Sequence, residues 1–235
     1  MTDTNSTARL PVYIQIAELL ARDIAAGRLV GGERLPPERD LARQLSVSVG
    51  TLRKALKELE SQDLLERIQG SGNYIKVAAG SAGIYSMFRL ELPEGGGLPR
   101  ADVLSVDLIP KPKDLPEFGS SGEASRVRRL RWLNDTIIAV EEIWLDGNAG
   151  RIDIDAISES LYRYYQQKLG FWITRAEDRV GIGNLPIWAP DTFTKAKGET
   201  VGYIERLSWA DGSAPVEFSR TWFDPDQAHY VQRLK

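Results

Sequence analysis

Residues 35–60, LPPERDLARQLSVSVGTLRKALKELE, decide the fold of the N-terminal part of this chain. The two prolines at 36–37 suit the first turn of a helix, and a short turn at 46–47 separates that helix from the next one. Ser48 is a suitable N-cap for the second helix, which we expect to end near Gln62. The apolar positions of this helix recur at helical spacing and predict one buried face, formed by Leu52, Ala55, Leu56 and Leu59. The stretch therefore predicts two helices joined by a tight turn.

The residues on either side complete a small domain, to which we assign residues 9–77. Upstream, apolar residues over 13–24 recur at helical spacing, and Gly27 ends that helix. Downstream, two short runs flank a glycine turn at 70–72, which predicts a β-hairpin over 64–77. Three helices followed by a hairpin form a winged helix-turn-helix, in which the third helix enters the major groove of DNA.

The charge pattern of the third helix suits DNA, although the net charge of the chain is -3. Four basic residues and no acidic residue lie between Arg43 and Lys57, and phosphate contacts act at short range in salt. Arginine can form paired hydrogen bonds with guanine or with phosphate, and threonine can reach phosphate or a thymine methyl group. The candidate DNA-binding residues at the start of this helix are Ser48, Gly50, Thr51, Arg53 and Lys54. The bare hairpin turn at 69–72 can approach the minor groove.

This domain closely resembles the DNA-binding domain of the GntR family of bacterial regulators. The resemblance covers most of residues 9–77 and rests on the motifs at 13–16, 27–29, 35–42, 47–48, 51–56 and 70–72. It implies that DNA is contacted by Arg39, Ser48, Thr51, Arg53 and the wing residue Gly70, with Ser71 beside it. Many members have arginine directly after the serine that matches Ser48, whereas this chain has Val49. The operator preference of the better-known members is therefore not carried over.

The remainder of the chain is rich in predicted strands. Small residues predict a linker at 78–83, and the second domain is expected to occupy residues 84–235. Alternating or apolar runs predict one long helix at 158–169 and strands at 103–109, 125–133, 137–145, 172–182, 200–209 and 215–223. Turn signals at 134–135 and 211–212 lie between strands at hairpin spacing. The second domain is therefore predicted to be a mainly antiparallel α+β domain, which makes the fold class of the whole chain α+β.

This second part resembles the UTRA domain of the HutC subfamily of GntR regulators, a fold that chorismate lyase shares. The residues that carry the resemblance arrive in order along the chain: Arg129, Arg131, Asn134-Asp135, Glu141, Pro215-Val216-Glu217 and Phe223. The resemblance implies an effector site on this domain, with further residues near its anion-binding end at Ser86, Arg89, Ser160 and Tyr162. Phe223 stands where sugar-phosphate sensors often have tyrosine, which suggests a different or more apolar ligand.

The chemistry of these residues suits a small anion. Arg129 and Arg131 are two positions apart on a predicted strand, so their side chains share a face and can together bind phosphate or carboxylate. Glu141 and Glu217 can accept hydrogen bonds from ligand hydroxyl or amine groups. Sugar phosphates, amino-acid derivatives, phosphonates and aromatic acids all fit this description. Arginines on strands are also commonly solvated or ion-paired, so a second domain that only dimerises is an alternative.

The composition favours neither catalysis nor cofactor binding. The chain has no cysteine and one histidine, and it lacks a P-loop, a G-x-S-x-G motif and a complete dinucleotide fingerprint. We therefore expect no enzymatic activity, no metal and no cofactor, with a lyase-like enzyme as the alternative that the fold allows. The first residues lack a signal-peptide pattern and no apolar run reaches membrane-spanning length, so we expect a cytoplasmic protein with no membrane partner.

The two domains together predict a DNA-binding transcription regulator. A homodimer is expected, because a two-fold symmetric protein matches a palindromic operator in double-stranded DNA. The resemblance implies a repressor that a small, anionic effector releases from its operator.

Overall fold

The computed structural model describes residues 10–76, 87–157 and 160–233. Over these residues the chain forms two compact units. The N-terminal unit is drawn from Leu10–Glu91, Gly96–Leu98 and Tyr230–Lys235, and the C-terminal unit is drawn from Leu92–Gly95 and Pro99–His229. The predicted linker at 78–83 lies outside the described residues, and the predicted domain boundaries remain a prediction.

The N-terminal unit contains three helices, α1 (Val12–Ala25), α2 (Glu38–Gln44) and α3 (Val49–Ser61). Pro11 and Pro37 directly precede α1 and α2, at positions where the backbone N–H makes no hydrogen bond within the helix. Ser48 caps α3 as predicted, because its Oγ accepts a hydrogen bond from the backbone N–H of Thr51 at 3.0 Å. The predicted inner face of α3 is correct, since Leu52, Ala55, Leu56 and Leu59 are all fully buried in the core of the unit.

Two short strands follow the helices and form the predicted wing. Strands β1 (Leu65–Ile68) and β2 (Gly72–Ile75) pair antiparallel. Gly70, in the turn between them, has a φ of +75°, a conformation that glycine adopts without strain. Strands β3 (Leu90–Glu91) and β10 (His229–Tyr230) form a second two-stranded sheet.

The C-terminal unit is built on one antiparallel sheet of six strands in the order β4-β5-β6-β9-β8-β7. The strands are β4 (Pro99–Pro110), β5 (Glu123–Leu133), β6 (Thr136–Asp146), β7 (Arg175–Asn184), β8 (Thr200–Trp209) and β9 (Glu217–Phe223). The predicted turn at 134–135 joins β5 to β6, and Asn134 takes a φ of +52°, which asparagine tolerates better than most residues. With the wing and the helices, this sheet confirms the predicted α+β fold class.

The two faces of the six-stranded sheet differ in composition. One face packs an apolar cluster that includes Leu130, Val140 and Trp222 from the strands and Leu185 and Phe193 from the segment after β7. The opposite face, which we call the arginine face, carries Arg129, Glu141 and Arg206 together with the other polar residues described below. Pairing across the strands places these residues on one side because directly opposed positions share a face.

The predicted helix at 158–169 is present over residues 161–169, but its second half is π-helical and not α-helical. Residues 158–159 lie outside the described part of the chain, α4 spans Leu161–Tyr164, and a π-helical turn follows at Tyr165–Leu169. Hydrophobic spacing cannot reveal such a turn, because tertiary contacts decide it. Tyr165 is fully buried, stacks on Phe171 with a ring separation of 4.9 Å and binds a carboxylate of the sheet. Gly170 ends the helix with a φ of +74°, as predicted.

Candidate DNA-binding surface and effector site

The start of α3 forms the surface on which the predicted DNA-binding residues meet. Ser48 and Thr51 are joined there, with 2.8 Å between their hydroxyl oxygens. Ser48, Gly50, Arg53 and Lys54 are exposed and Thr51 is half-buried, so the first turns of the helix present a polar surface to solvent. Arginine and hydroxyl groups at the N-terminal end of a helix can reach base edges and phosphates in a major groove.

Residues from α2 and the wing lie beside this helix end. Arg39 is exposed on α2, next in the chain to Glu38, whose Oε2 accepts a hydrogen bond from Nε of Arg53 at 2.6 Å. At the wing tip Gly70 is exposed, and a Cβ built on it would meet no atom within 4 Å. The Ser71 and Tyr74 hydroxyl oxygens are 2.7 Å apart, a hydrogen bond that holds the tip to β2. The turn is therefore open at Gly70, whereas the guanidinium group of Arg34 would lie 3.0 Å from a Cβ built on Gly72.

The predicted arginine pair converges on one carboxylate in the C-terminal unit. Arg129 lies opposite Glu141 across β5 and β6, and its Nη2 and Nε donate to Glu141 Oε2 at 2.7 and 3.1 Å. Arg131 Nη1 donates to the same oxygen at 3.4 Å. The side chains of Arg129 and Arg131 are only 6% and 4% exposed, so the sheet holds two buried guanidinium groups side by side. This confirms that the two arginines share a face.

Glu141 is held in its charged form by these neighbours. Burial raises the pKa of its carboxyl group, but the positive charges of Arg131 and Arg129 and the hydrogen bond from Arg129 outweigh burial and lower the pKa below 4.5. The carboxylate therefore fixes the orientation of both guanidinium groups.

Glu217 is in a different environment, although it lies on the same face of the sheet. Three hydroxyl groups donate to it, from Tyr165 at 2.6 Å, Ser208 at 2.9 Å and Tyr162 at 3.3 Å. Burial raises the pKa of Glu217, and the hydrogen bonds and arginine charges nearby do not cancel that effect. The arrangement joins α4 and the π-helical turn to β8 and β9, so Glu217 positions Tyr162 on the arginine face.

Sequence reasoning missed a third arginine of the arginine face. Arg206 on β8 donates to both carboxylate oxygens of Asp178 on β7, at 2.5 and 2.7 Å. Burial disfavours its charge, but the hydrogen bonds to Asp178 and the nearby Tyr162 outweigh burial and raise the pKa of Arg206. Arg206 is far from Arg129 and Arg131 along the chain, and it reaches the same face only because β8 pairs with β9 and β9 pairs with β6.

The other predicted effector residues have diverse positions. Phe223 is buried and lies opposite Gly202 across β8 and β9. The ring of Phe223 occupies the space beside Gly202, because a Cβ built on that glycine would lie 2.2 Å from the ring. Ser160 is buried and caps α4, with its Oγ accepting from the Arg163 backbone N–H at 3.4 Å. Arg89 belongs to the N-terminal unit, where its Nε donates to Gln232 at 2.7 Å. Ser86 lies outside the described residues.

The residues that the structure describes form neither a cluster of metal ligands nor a membrane-spanning helix. No three histidine, aspartate or glutamate side chains come together there as a metal site would need. None of the helices formed by the described residues combines the length and the apolar character needed to span a bilayer.

The sequence patterns of two known families match the chain. The UTRA domain matches residues 94–229, and "Bacterial regulatory proteins, gntR family" matches residues 12–75. The chain belongs to the GntR family and carries a UTRA domain. Both sequence resemblances are thereby confirmed. GntR regulators bind DNA and UTRA domains bind small-molecule effectors, so this member is a transcription regulator and not an enzyme.

Relatives cover nearly the whole chain. It is 53% identical to the HTH-type transcriptional regulator SmoD of Agrobacterium fabrum, over 96% of this chain and 97% of that protein. It is 26% identical to the HTH-type transcriptional repressor NagR of Bacillus subtilis, over 98% of each chain. It is 27% identical to the mannosyl-D-glycerate transport/metabolism system repressor MngR of Escherichia coli, over 94% of this chain and 95% of that protein.

Two solved structures share the fold. The transcriptional regulator YydK of Bacillus subtilis superimposes with a TM-score of 0.52 at 20% identity, covering 96% of this GntR member and 100% of YydK. The ligand-binding domain of a GntR-family regulator from Bordetella bronchiseptica superimposes with a TM-score of 0.54 at 21% identity, covering 63% of this chain and 96% of that domain.

Proposed function

We propose that this GntR-family member is a repressor that leaves its operator when a small, anionic effector binds the UTRA domain. The observation that carries the proposal is the convergence of Arg129 and Arg131 on Glu141 in a domain joined to a winged helix-turn-helix. Two relatives that align over nearly their full length, NagR and MngR, are named repressors, which supports the sign of the regulation.

The charges of the arginine face support an anionic ligand. It gathers three guanidinium groups, on Arg129, Arg131 and Arg206, against the carboxylates of Glu141 and Asp178. Burial raises the pKa of Glu217 above its ordinary value, the direction that reduces its negative charge. Hydroxyl groups of Tyr162 and Ser208 can exchange hydrogen bonds with a polyol. The name of MngR includes mannosyl-D-glycerate, a sugar acid, which fits such a site.

The DNA-binding part of the proposal rests on the exposed start of α3 and on the open turn at Gly70. In this arrangement Ser48, Gly50, Thr51, Arg53 and Lys54 contact the major groove, and Gly70 and Ser71 approach the minor groove. Arg39, exposed on α2, contacts the phosphate backbone. The target is double-stranded chromosomal DNA, so the protein acts in the cytoplasm.

We propose that the regulator is a homodimer on a palindromic operator. Strand β7 supports this, because in the described sheet it lies at the edge and pairs only with β8. Two apolar side chains on it, Val180 and Ile182, are 51% and 79% exposed. Long edge strands with exposed apolar residues readily pair with another chain, and antiparallel pairing of two copies is two-fold symmetric.

A thermal-shift screen tests the effector site. The purified protein is incubated with sugar phosphates, sugar acids, amino-acid derivatives, phosphonates and aromatic acids, alongside Arg131→Ala and the surface control Arg179→Ala, which removes an arginine from β7. A ligand at about 100 times its Kd stabilises the folded state by about 2.7 kcal/mol. We expect stabilisation that Arg179→Ala retains and Arg131→Ala loses. Stabilisation that survives in Arg131→Ala would place the ligand elsewhere, and silence across the panel would favour a domain that only dimerises.

A further inference from the structure

Glu38 lies where three elements of the N-terminal unit meet. It is the first residue of α2, and its Oε2 accepts the hydrogen bond from Arg53 of α3 at 2.6 Å. Its other oxygen, Oε1, is 3.7 Å from Nη2 of Arg67 on the wing strand β1. Asn73, which pairs with Arg67 across the wing, also helps to lower the pKa of Glu38. One carboxylate therefore contacts α3 and the wing strand β1.

The contact with Glu38 uses only one edge of the Arg53 guanidinium group. Nε donates to Glu38, and no hydrogen bond from the terminal nitrogens Nη1 and Nη2 of Arg53 is formed among the residues that the structure describes. The side chain is 64% exposed. Paired hydrogen bonds from the terminal nitrogens to O6 and N7 are the usual way in which arginine recognises guanine. Glu38 thus fixes the arginine at Nε while its recognition edge stays open.

Glu38 also contributes a negative charge to a basic surface. The hydrogen bond from Arg53 is the main cause that lowers the pKa of Glu38, so the carboxylate is ionised at neutral pH. A fixed carboxylate close to DNA repels phosphate groups, which weakens binding that depends on the backbone alone. Orientation of Arg53 and repulsion of phosphate act in the same direction, because both favour binding to the correct bases over binding to any duplex.

We propose that Glu38 is a positioning residue that sets the sequence discrimination of this regulator, by orienting Arg53 and tying it to the wing. The inference rests on the proposed DNA-binding function and deepens it. Glu38 is predicted to contribute more to the ratio of specific to non-specific affinity than to affinity for DNA in general. Direct contact with DNA is not required of Glu38, since it acts through Arg53.

The DNA probes for the test come from a selection experiment, in which the protein is incubated with a library of random-sequence duplexes. The full-length protein enriches its preferred sequence, and its affinity for that duplex is compared with its affinity for a scrambled duplex of the same composition at several salt concentrations. The variants are Glu38→Gln, Glu38→Asp, Arg53→Ala and the double variant Glu38→Gln/Arg53→Ala. The matched control is Asp40→Asn, which also removes an acidic residue from the first turn of α2 and whose partner is Arg43 at 3.0 Å.

We expect Glu38→Gln to lower the discrimination ratio about tenfold, the scale of one good base contact, with non-specific affinity unchanged or raised. Glu38→Asp keeps the charge but shortens the side chain, so it should lower discrimination without raising non-specific affinity. Asp40→Asn should leave the ratio within about twofold. In the Arg53→Ala background, Glu38→Gln should have almost no further effect, because the residue acts through Arg53.

Three results would overturn the inference. Glu38→Gln could leave the ratio unchanged, or it could weaken specific and non-specific binding equally in a protein whose thermal unfolding is unaltered. Its effect could also add in full to that of Arg53→Ala, which would show that Glu38 acts independently. If the wild-type protein enriches no sequence at all, the proposed DNA-binding function fails and the inference fails with it.

Discussion

At the scale of single residues, two glutamates on one face of the sheet have opposite protonation behaviour. Glu141 faces Arg129 and Arg131, which lower its pKa despite burial. Glu217 is surrounded by hydroxyl groups, which stabilise a carboxylate less than a full positive charge does, and its pKa is raised. The arginine face therefore contains one residue that stays charged as a partner of the arginines and one that gains a proton more easily.

The pH dependence of stability tests this difference through Glu217→Gln. A raised pKa means that the folded state binds the proton more tightly than the unfolded state. Wild-type stability should therefore gain a contribution as pH falls through the raised pKa of Glu217 towards its ordinary value of 4.5, and lose it as pH rises. Thermal unfolding measured across this range should show that contribution in the wild type and in the exposed control Glu177→Gln, and not in Glu217→Gln. Equal pH slopes for all three proteins would contradict the assignment.

Residue patterns predicted only part of the effector site. Arg129 and Arg131 could be predicted from the sequence, because a spacing of two on one strand places side chains on one face. Arg206, Asp178 and Tyr165 could not be predicted, since their positions depend on the register between β7, β8 and β9 and on the π-helical turn. Register of this kind is decided by long-range pairing, which no local pattern contains.

At the scale of elements, α3, which we propose as the recognition helix, is a rigid platform for DNA contacts. Ser48 caps its start, and four fully buried side chains anchor its inner face, so the outward residues are presented in fixed positions. Capping and periodicity are local properties, which is why α3 and the wing hairpin were predictable. The π-helical end after α4 was not, because it depends on buried contacts of Tyr165.

The variant Arg53→Ala tests the role of α3. We expect it to lose about 1–3 kcal/mol of binding free energy for the operator, because the paired hydrogen bonds of arginine to guanine are lost. The fold should persist, since the side chain is exposed. Fluorescence anisotropy with a labelled operator duplex measures the loss, and Ser61→Ala at the far end of α3 is the control. Wild-type affinity in Arg53→Ala would show that the recognition surface lies elsewhere.

At the scale of the whole molecule, we propose that two copies associate through a free edge of the six-stranded sheet. Both outer strands, β4 and β7, have one unpaired edge in the described sheet, and composition cannot distinguish them. In the structure both edge strands carry exposed apolar residues, but Val180 and Ile182 on β7 are 51% and 79% exposed, whereas Leu104 and Leu108 on β4 are each 41% exposed. The net charge of -3 carries no such information.

The substitution Ile182→Lys tests assembly through β7. A lysine on an edge strand opposes pairing with another chain, so the variant should sediment as a monomer at concentrations where the wild type is a dimer. Its operator affinity should also fall, because a monomer contacts one half-site. Leu108→Lys on β4, where the wild-type leucine is 41% exposed, is the control for the opposite edge. Dissociation caused by Leu108→Lys and not by Ile182→Lys would move the interface to β4.

Operator affinity in the presence and absence of an effector found in the thermal screen tests the central claim most directly. Typical coupling free energies between two sites are about 1–3 kcal/mol, so the effector should weaken wild-type operator binding by about 5- to 150-fold. By linkage, the operator should weaken effector binding by the same factor, and Arg131→Ala should bind the operator normally without responding. An effector that binds the arginine face and leaves operator affinity unchanged would contradict the account.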